Sequence, residues 1–151
     1  TVEIALAAID EADKVQFINY IKELPSEPSR NAALALYCKK YQEAEQILLS
    51  ARLFYRAIKL NIKLYKWDRA LEIALENTTH VDTVIAYRQR YLQRQFDGIN
   101  AGKEKREGDA AAGPKETNPR FQQYSKDIVV DWETVKAKIR ADKEREEEAN
   151  K

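Results

Sequence analysis

Methionine is absent from the 151 residues, and cysteine and histidine occur once each, as Cys38 and His80. A single cysteine excludes a disulfide within the chain and suits a reducing compartment. The two soft ligands are 42 positions apart, so no clustered metal site is expected. One histidine also leaves little from which to build a nucleophile, a base and an orienting group. All four glycines fall between Gly98 and Gly113, in a charged stretch with no strand before them, so no phosphate-cradling loop is present. The chain therefore reads as a non-enzyme, with no catalytic residue, no cofactor and no metal. No apolar run approaches 18 residues, which argues against direct membrane insertion. The 26 basic and 25 acidic residues nearly cancel, so no broad positive field exists to capture nucleic acid. The chain also starts without methionine inside a helical pattern, as a fragment of a longer protein would.

What is present is helical periodicity. Trp67, Ala70, Leu71, Ala74 and Leu75 stand at i, i+3, i+4, i+7 and i+8, and Val81, Val84, Ile85 and Leu92 continue the theme. Strand alternation with turn dipeptides is missing. The expected class is all-α, with helices near 2–9, 12–24, 30–38, 42–50, 53–64, 67–76 and 80–96. Pro25 and Pro28 interrupt the pattern after Leu24, and Ser29 is placed to cap the next helix. Asn77 suits a left-handed helix end, Thr79 with Asp82 resembles a capping box, and His80 suits a polar cap. Cys38 lies on an apolar face and is expected in the core.

A shift of 26 residues superposes Tyr41 on Trp67, Ala44 on Ala70 and Ile47 on Ile73, with a fainter copy at Val15, Ile18 and Ile21. This echo describes a helical-hairpin repeat whose units stack into a solenoid, of a degenerate tetratricopeptide-like kind. Tyr41, Ala44, Trp67 and Ala70 are then the structural repeat core. The aromatic fills the wedge between two helices, and the alanine lets their backbones approach.

Residues 1–97 form the expected helical solenoid. Residues 98–119, polar and holding Pro114 and Pro119, read as a flexible linker or loop. Residues 120–151 form a C-terminal helical segment. In it, Phe121, Tyr124 and Ile128 share one face, Asp131 caps a helix, and Trp132, Val135 and Ile139 form a short apolar stripe. The last ten or so residues are acidic and lack large apolar side chains, so a solvated end is expected. Tyr87, Arg90, Tyr91 and Arg94 make a second stripe on the helix over 80–96, roughly 130° from its core face. These residue types anchor interfaces. They and Trp132 are candidates for partner binding; packing of the stripe against a later element of the same chain is equally open.

The stretches "AAIDEADKVQFINYIKELP", "EAEQILLSARLFYRAIKLNIKLYKWDRALEIALE", "THVDTVIAYRQRYL" and "DWETVKAKI" together resemble the C-terminal region of the eighty-kilodalton subunit family of intraflagellar transport complex B. The resemblance covers nearly all of the chain outside the linker. It implies two WD-repeat propellers ahead of a helical solenoid, and a non-catalytic place in trains that kinesin and dynein move along ciliary microtubules. It implies other complex B subunits as partners, with self-association open, and a location in the cilium or flagellum, including its base, on the cytoplasmic side. Vesicle-coat subunits share the propeller-plus-solenoid plan and supply the alternative reading.

Overall fold

The structure, a computed structural model, describes residues 2–101 and 113–151. Eight helices follow one another: α1 (Val2–Glu23), α2 (Glu27–Tyr37), α3 (Tyr41–Ser50), α4 (Phe54–Lys63), α5 (Trp67–Glu76), α6 (Val81–Asn100), α7 (Pro119–Asp127) and α8 (Trp132–Ala149). No strand occurs among the described residues.

The sequence echo has a backbone cause. Positive φ angles fall at Lys39, Arg52, Tyr65 and Thr78, 13 residues apart. At each, the helix closes in the same way. The N–H of Lys40 donates to the Ala35 carbonyl at 2.8 Å, while that of Lys39 donates to Leu36 at 3.0 Å. Leu53 with Leu48, Lys66 with Asn61 and Thr79 with Ala74 repeat the longer bond at 2.9, 2.9 and 3.1 Å. These are Schellman ends, which usually place glycine at the left-handed residue. Here four side-chain-bearing residues take that conformation, which costs each of them about 1–2 kcal/mol. Three-residue connections thus separate the ten-residue helices α3, α4 and α5, and two such steps make the 26-residue repeat.

Several local expectations are corrected. Asn77 is not the left-handed residue (φ −98°); Thr78, one later, is. Ser26, not Ser29, caps α2, accepting the Ser29 N–H at 3.3 Å. His80 precedes α6 but makes no side-chain cap, and the turn is not a Thr79–Asp82 box; the His80 ring instead meets the Thr83 hydroxyl at 3.0 Å, and both are buried. Cys38 is exposed, because it ends α2 at the turn. The break expected near residue 10 does not occur. No Gly or Pro stands there to stop the helix, and the Lys14–Asp10 ion pair (2.7 Å) spans the junction. α6 runs on to Asn100, past the expected boundary at 97.

The chain divides into two compact units, Thr1–Ala57 with Asp142–Lys151, and Ile58–Ala141. In the first, α2 folds back along α3, with Ala32, Ala35, Ala44 and Leu48 buried. Ala44 is fully buried, whereas Tyr41 is exposed. Phe17 of α1 stacks on Tyr37 of α2 at 4.3 Å. The end of α8 contributes Glu146, which is buried and thus departs from a solvated terminus. Its carboxylate accepts from the Ser26 hydroxyl and from Arg56 Nε. A buried carboxylate needs such donors, because desolvation without them is expensive. The remaining residues from 143 to 151 are exposed. In the second unit, α5 packs on α6 around Ala70, Leu71, Ile73, Ala74, Val84 and Ile85, all essentially inaccessible.

Candidate interaction site on α6

The exposed half of α6 meets three other elements of the second unit, and aromatic rings make most of the contacts. Trp67, at the start of α5, is 8% exposed. Tyr91 of α6 lies 5.3 Å from it, and Phe121 of α7 meets it edge-on at 6.3 Å. Ala70 beneath is fully buried. Trp67 thus sits among rings of α6 and α7 above a buried Ala70. Tyr41 lacks the same cover for a local reason. Trp67 is roofed by Arg88, whose counterpart one repeat earlier is Ile62, and by Phe121, which lies outside the repeat altogether. The indole N–H of Trp67 is buried without a hydrogen-bond partner among the described residues.

Arg88 was not singled out from the sequence, yet it organises the site. Its guanidinium carbon is 5.4 Å from the Trp67 ring, 5.6 Å from Tyr91 and 5.4 Å from Phe121. It forks onto Glu116 through two hydrogen bonds of 3.0 Å. Burial alone would raise the Glu116 carboxyl, but the Arg88 hydrogen bonds, the Asn118 N–H and the Arg88 charge outweigh it and hold the group below its usual range. Asn118 caps α7 by accepting the Arg120 N–H at 3.0 Å, and its amide donates to Asp68 at 2.9 Å. The sequence signal for Arg88 was its i+3 relation to Tyr91. Glu116 gave none, because its surroundings carry no periodicity.

These contacts alter the expected linker at 98–119. Its first residues belong to α6, and 114–118 are anchored through Glu116 and Asn118. Its middle, 102–112, lies outside the described residues.

The candidate stripe is brought together only in part. Trp132 of α8 stands edge-on to Tyr87 at 5.6 Å, and the Arg90 guanidinium carbon sits 3.9 Å from the centre of the Trp132 ring. Lys138 pairs with Asp82 at 2.7 Å, and Val135 is fully buried. Asp131 caps α8 as expected, accepting from the Glu133 N–H (3.2 Å) and the Thr134 hydroxyl (2.7 Å). Tyr87 and Arg90 therefore face the chain's own tail. Tyr91 is shared between Trp67 and Tyr65, whose ring is 5.5 Å away and 67% exposed. Arg94 is exposed. Among the described residues no group of three or more His, Cys, Asp or Glu is placed to hold a metal ion, and no helix is long and apolar enough to cross a membrane.

Short helices joined by repeated Schellman turns, with an aromatic wedge roofed by a later helix, define a helical-hairpin repeat protein. The chain belongs to the family described as the IFT80/172/WDR35/WDR19 TPR domain, which it matches over residues 1–104 and 110–148. It is 47% identical over 139 residues to the intraflagellar transport protein 80 homologs of Rattus norvegicus and Mus musculus. That alignment covers 92% of this chain but 16% of each relative. No solved structure matches.

Proposed function

We propose that this chain is a non-catalytic scaffold module of an intraflagellar transport complex B subunit, acting by protein–protein contact in the cilium or flagellum and at its base, on the cytoplasmic side. The observation that carries this is the 47% identity over nearly the whole chain to proteins named for intraflagellar transport. The vesicle-coat alternative has no such support. The partners are other complex B subunits. The contact centres on the exposed end of the stripe, Arg94 with the Tyr65 and Tyr91 rings, while Tyr87, Arg90 and Trp132 hold α8 beside it. Tyr and Arg suit this because they combine large contact area with directed hydrogen bonds.

The test is co-purification of the full-length protein with complex B subunits. The parent is expected to recover them, and Arg94→Glu with Tyr65→Ala to lose part of the set while the helical signal stays unchanged. Recovery of coat subunits instead would overturn the assignment. Recovery of the full set by the variant would remove this surface from it. Sedimentation of the purified protein reports self-association in the same experiment.

A further inference from the structure

α1 spans 22 residues, while α3, α4 and α5 span ten each. Counting back from the left-handed residues Thr78, Tyr65, Arg52 and Lys39 in steps of 13 reaches Ser26, which lies in the α1–α2 turn, and then Asp13, in the middle of α1. On this count residues 2–11 and 15–24 are two ten-residue helices, and 12–14 is a three-residue connection. Asp13 is one of the few residues that tolerates the left-handed conformation.

The burial pattern of α1 fits that count. Ile9 stands where the next two repeats have Ala35 and Asn61, and Ile18 where they have Ala44 and Ala70. Those four residues are at most 8% exposed, whereas Ile9 is 58% and Ile18 50% exposed. Ile9 and Tyr20 project from one side of α1, and Val15 and Ile18 from roughly the opposite side. All four are exposed. A helix apolar on opposing sides needs cover on more than one of them, and α2 packs on α1 through Tyr37 on Phe17 while these four residues stay exposed.

We propose that α1 is a helical hairpin held straight, and that it closes at Asp13 by folding residues 2–11 back along residues 15–24. The occupant of the exposed face of residues 15–24 is thus the segment 2–11 of the same helix. Its length matches the repeat, and the α2–α3 hairpin, built on the same register, shows the packing it would adopt. Two features keep closure reversible. The Asp10–Lys14 pair favours the straight form. Isoleucines at positions 9 and 18 replace the alanines that let α2 and α3 approach, so the closed pair is wider. Closing hides Ile9 and Ile18, whose counterparts Ala35 and Ala44 are buried in the α2–α3 hairpin, and opening offers them to a partner, which makes the exposed apolar surface conditional.

The experiment places spin labels at Glu3→Cys and Glu23→Cys in the full-length protein, with these as its only reactive cysteines. The straight helix separates the two Cα atoms by about 30 Å, and the closed hairpin by about 10 Å. The expected result is a two-distance distribution independent of concentration. Asp13→Gly enriches the short distance, and Asp13→Ala depletes it, the short-to-long ratios of the two differing by about fivefold or more, as the difference between Gly and Ala within a helix implies. A single long distance in all three proteins overturns the proposal. So does a short distance that appears only as concentration rises or a partner is added, which would mean that another molecule covers the face.

Discussion

The Arg90 guanidinium carbon stands over the Trp132 ring, 3.9 Å from its centre, so a residue on the outward side of α6 holds α8 of the same chain. Such a contact is worth about 0.5–2 kcal/mol, depending on desolvation. Arg90→Ala is expected to lower the melting temperature slightly, and Trp132→Ala to lower it more, since it also removes the Tyr87 contact. Hydrogen exchange along residues 132–141 should accelerate in both. Unchanged protection in Trp132→Ala would show that Val135 and Lys138 suffice to dock α8.

Trp67→Ala removes the ring that joins α5, α6 and α7. The expected loss is about 3–5 kcal/mol in chemical unfolding, the usual cost of emptying a large aromatic site. Loss of helical signal before any change in partner recovery would agree with a structural fixture; a variant that melts like the parent would not.

The left-handed turns can be tested one at a time. Arg52→Gly relieves strain at φ 59° and should melt at or above the parent temperature, despite the entropy that glycine adds to the unfolded chain. Arg52→Val places a β-branched side chain there and should be less stable than the glycine variant by about 1–3 kcal/mol. Equal melting of the two would mean that the turn relaxes.

The depressed carboxyl of Glu116 gives a pH dependence of known sign. Its folded-state pKa lies below the unfolded value, so the stabilisation is complete above the ordinary carboxylate range, about pH 4. It is lost as pH falls through the folded pKa. Glu116→Gln should remove that component, leaving a shallower decline in stability between neutral and acidic pH. Proteolysis near residues 113–118, measured across the same range, should rise with falling pH in the parent and be faster at neutral pH but less pH-dependent in the variant.

Much of this was legible where the sequence repeats. The 26-residue echo located α3, α4 and α5, because identical turns impose identical registers. The turn chemistry was less visible. Lys39, Arg52, Tyr65 and Thr78 carry no mark of the left-handed state, so Asn77 drew the expectation instead. The long-range polar pairs were invisible for a different reason. Arg88 with Glu116 and Arg56 with Glu146 are 28 and 90 residues apart, and neither carboxylate follows a local pattern. Trp132 stands out in the sequence as a partner-binding candidate, but its seat on Tyr87 and Arg90 depends on where the segment after α7 leads.

The thirteen-residue spacing of the turns also constrains how such a gene can change. A helix and its connection form one step, and two steps make one 26-residue repeat, so only pairs of steps restore the sequence register of the aromatic and alanine positions. An in-frame tandem duplication of residues 41–66 adds one whole pair and preserves each aromatic wedge. Loss or gain of a single codon inside α3 or α5 displaces the left-handed residue and rotates everything beyond it by about 100° around the helix axis. Length variation among descendants should therefore accumulate as whole hairpins or in the connection after α6, and single-codon indels between residues 39 and 78 should be rare.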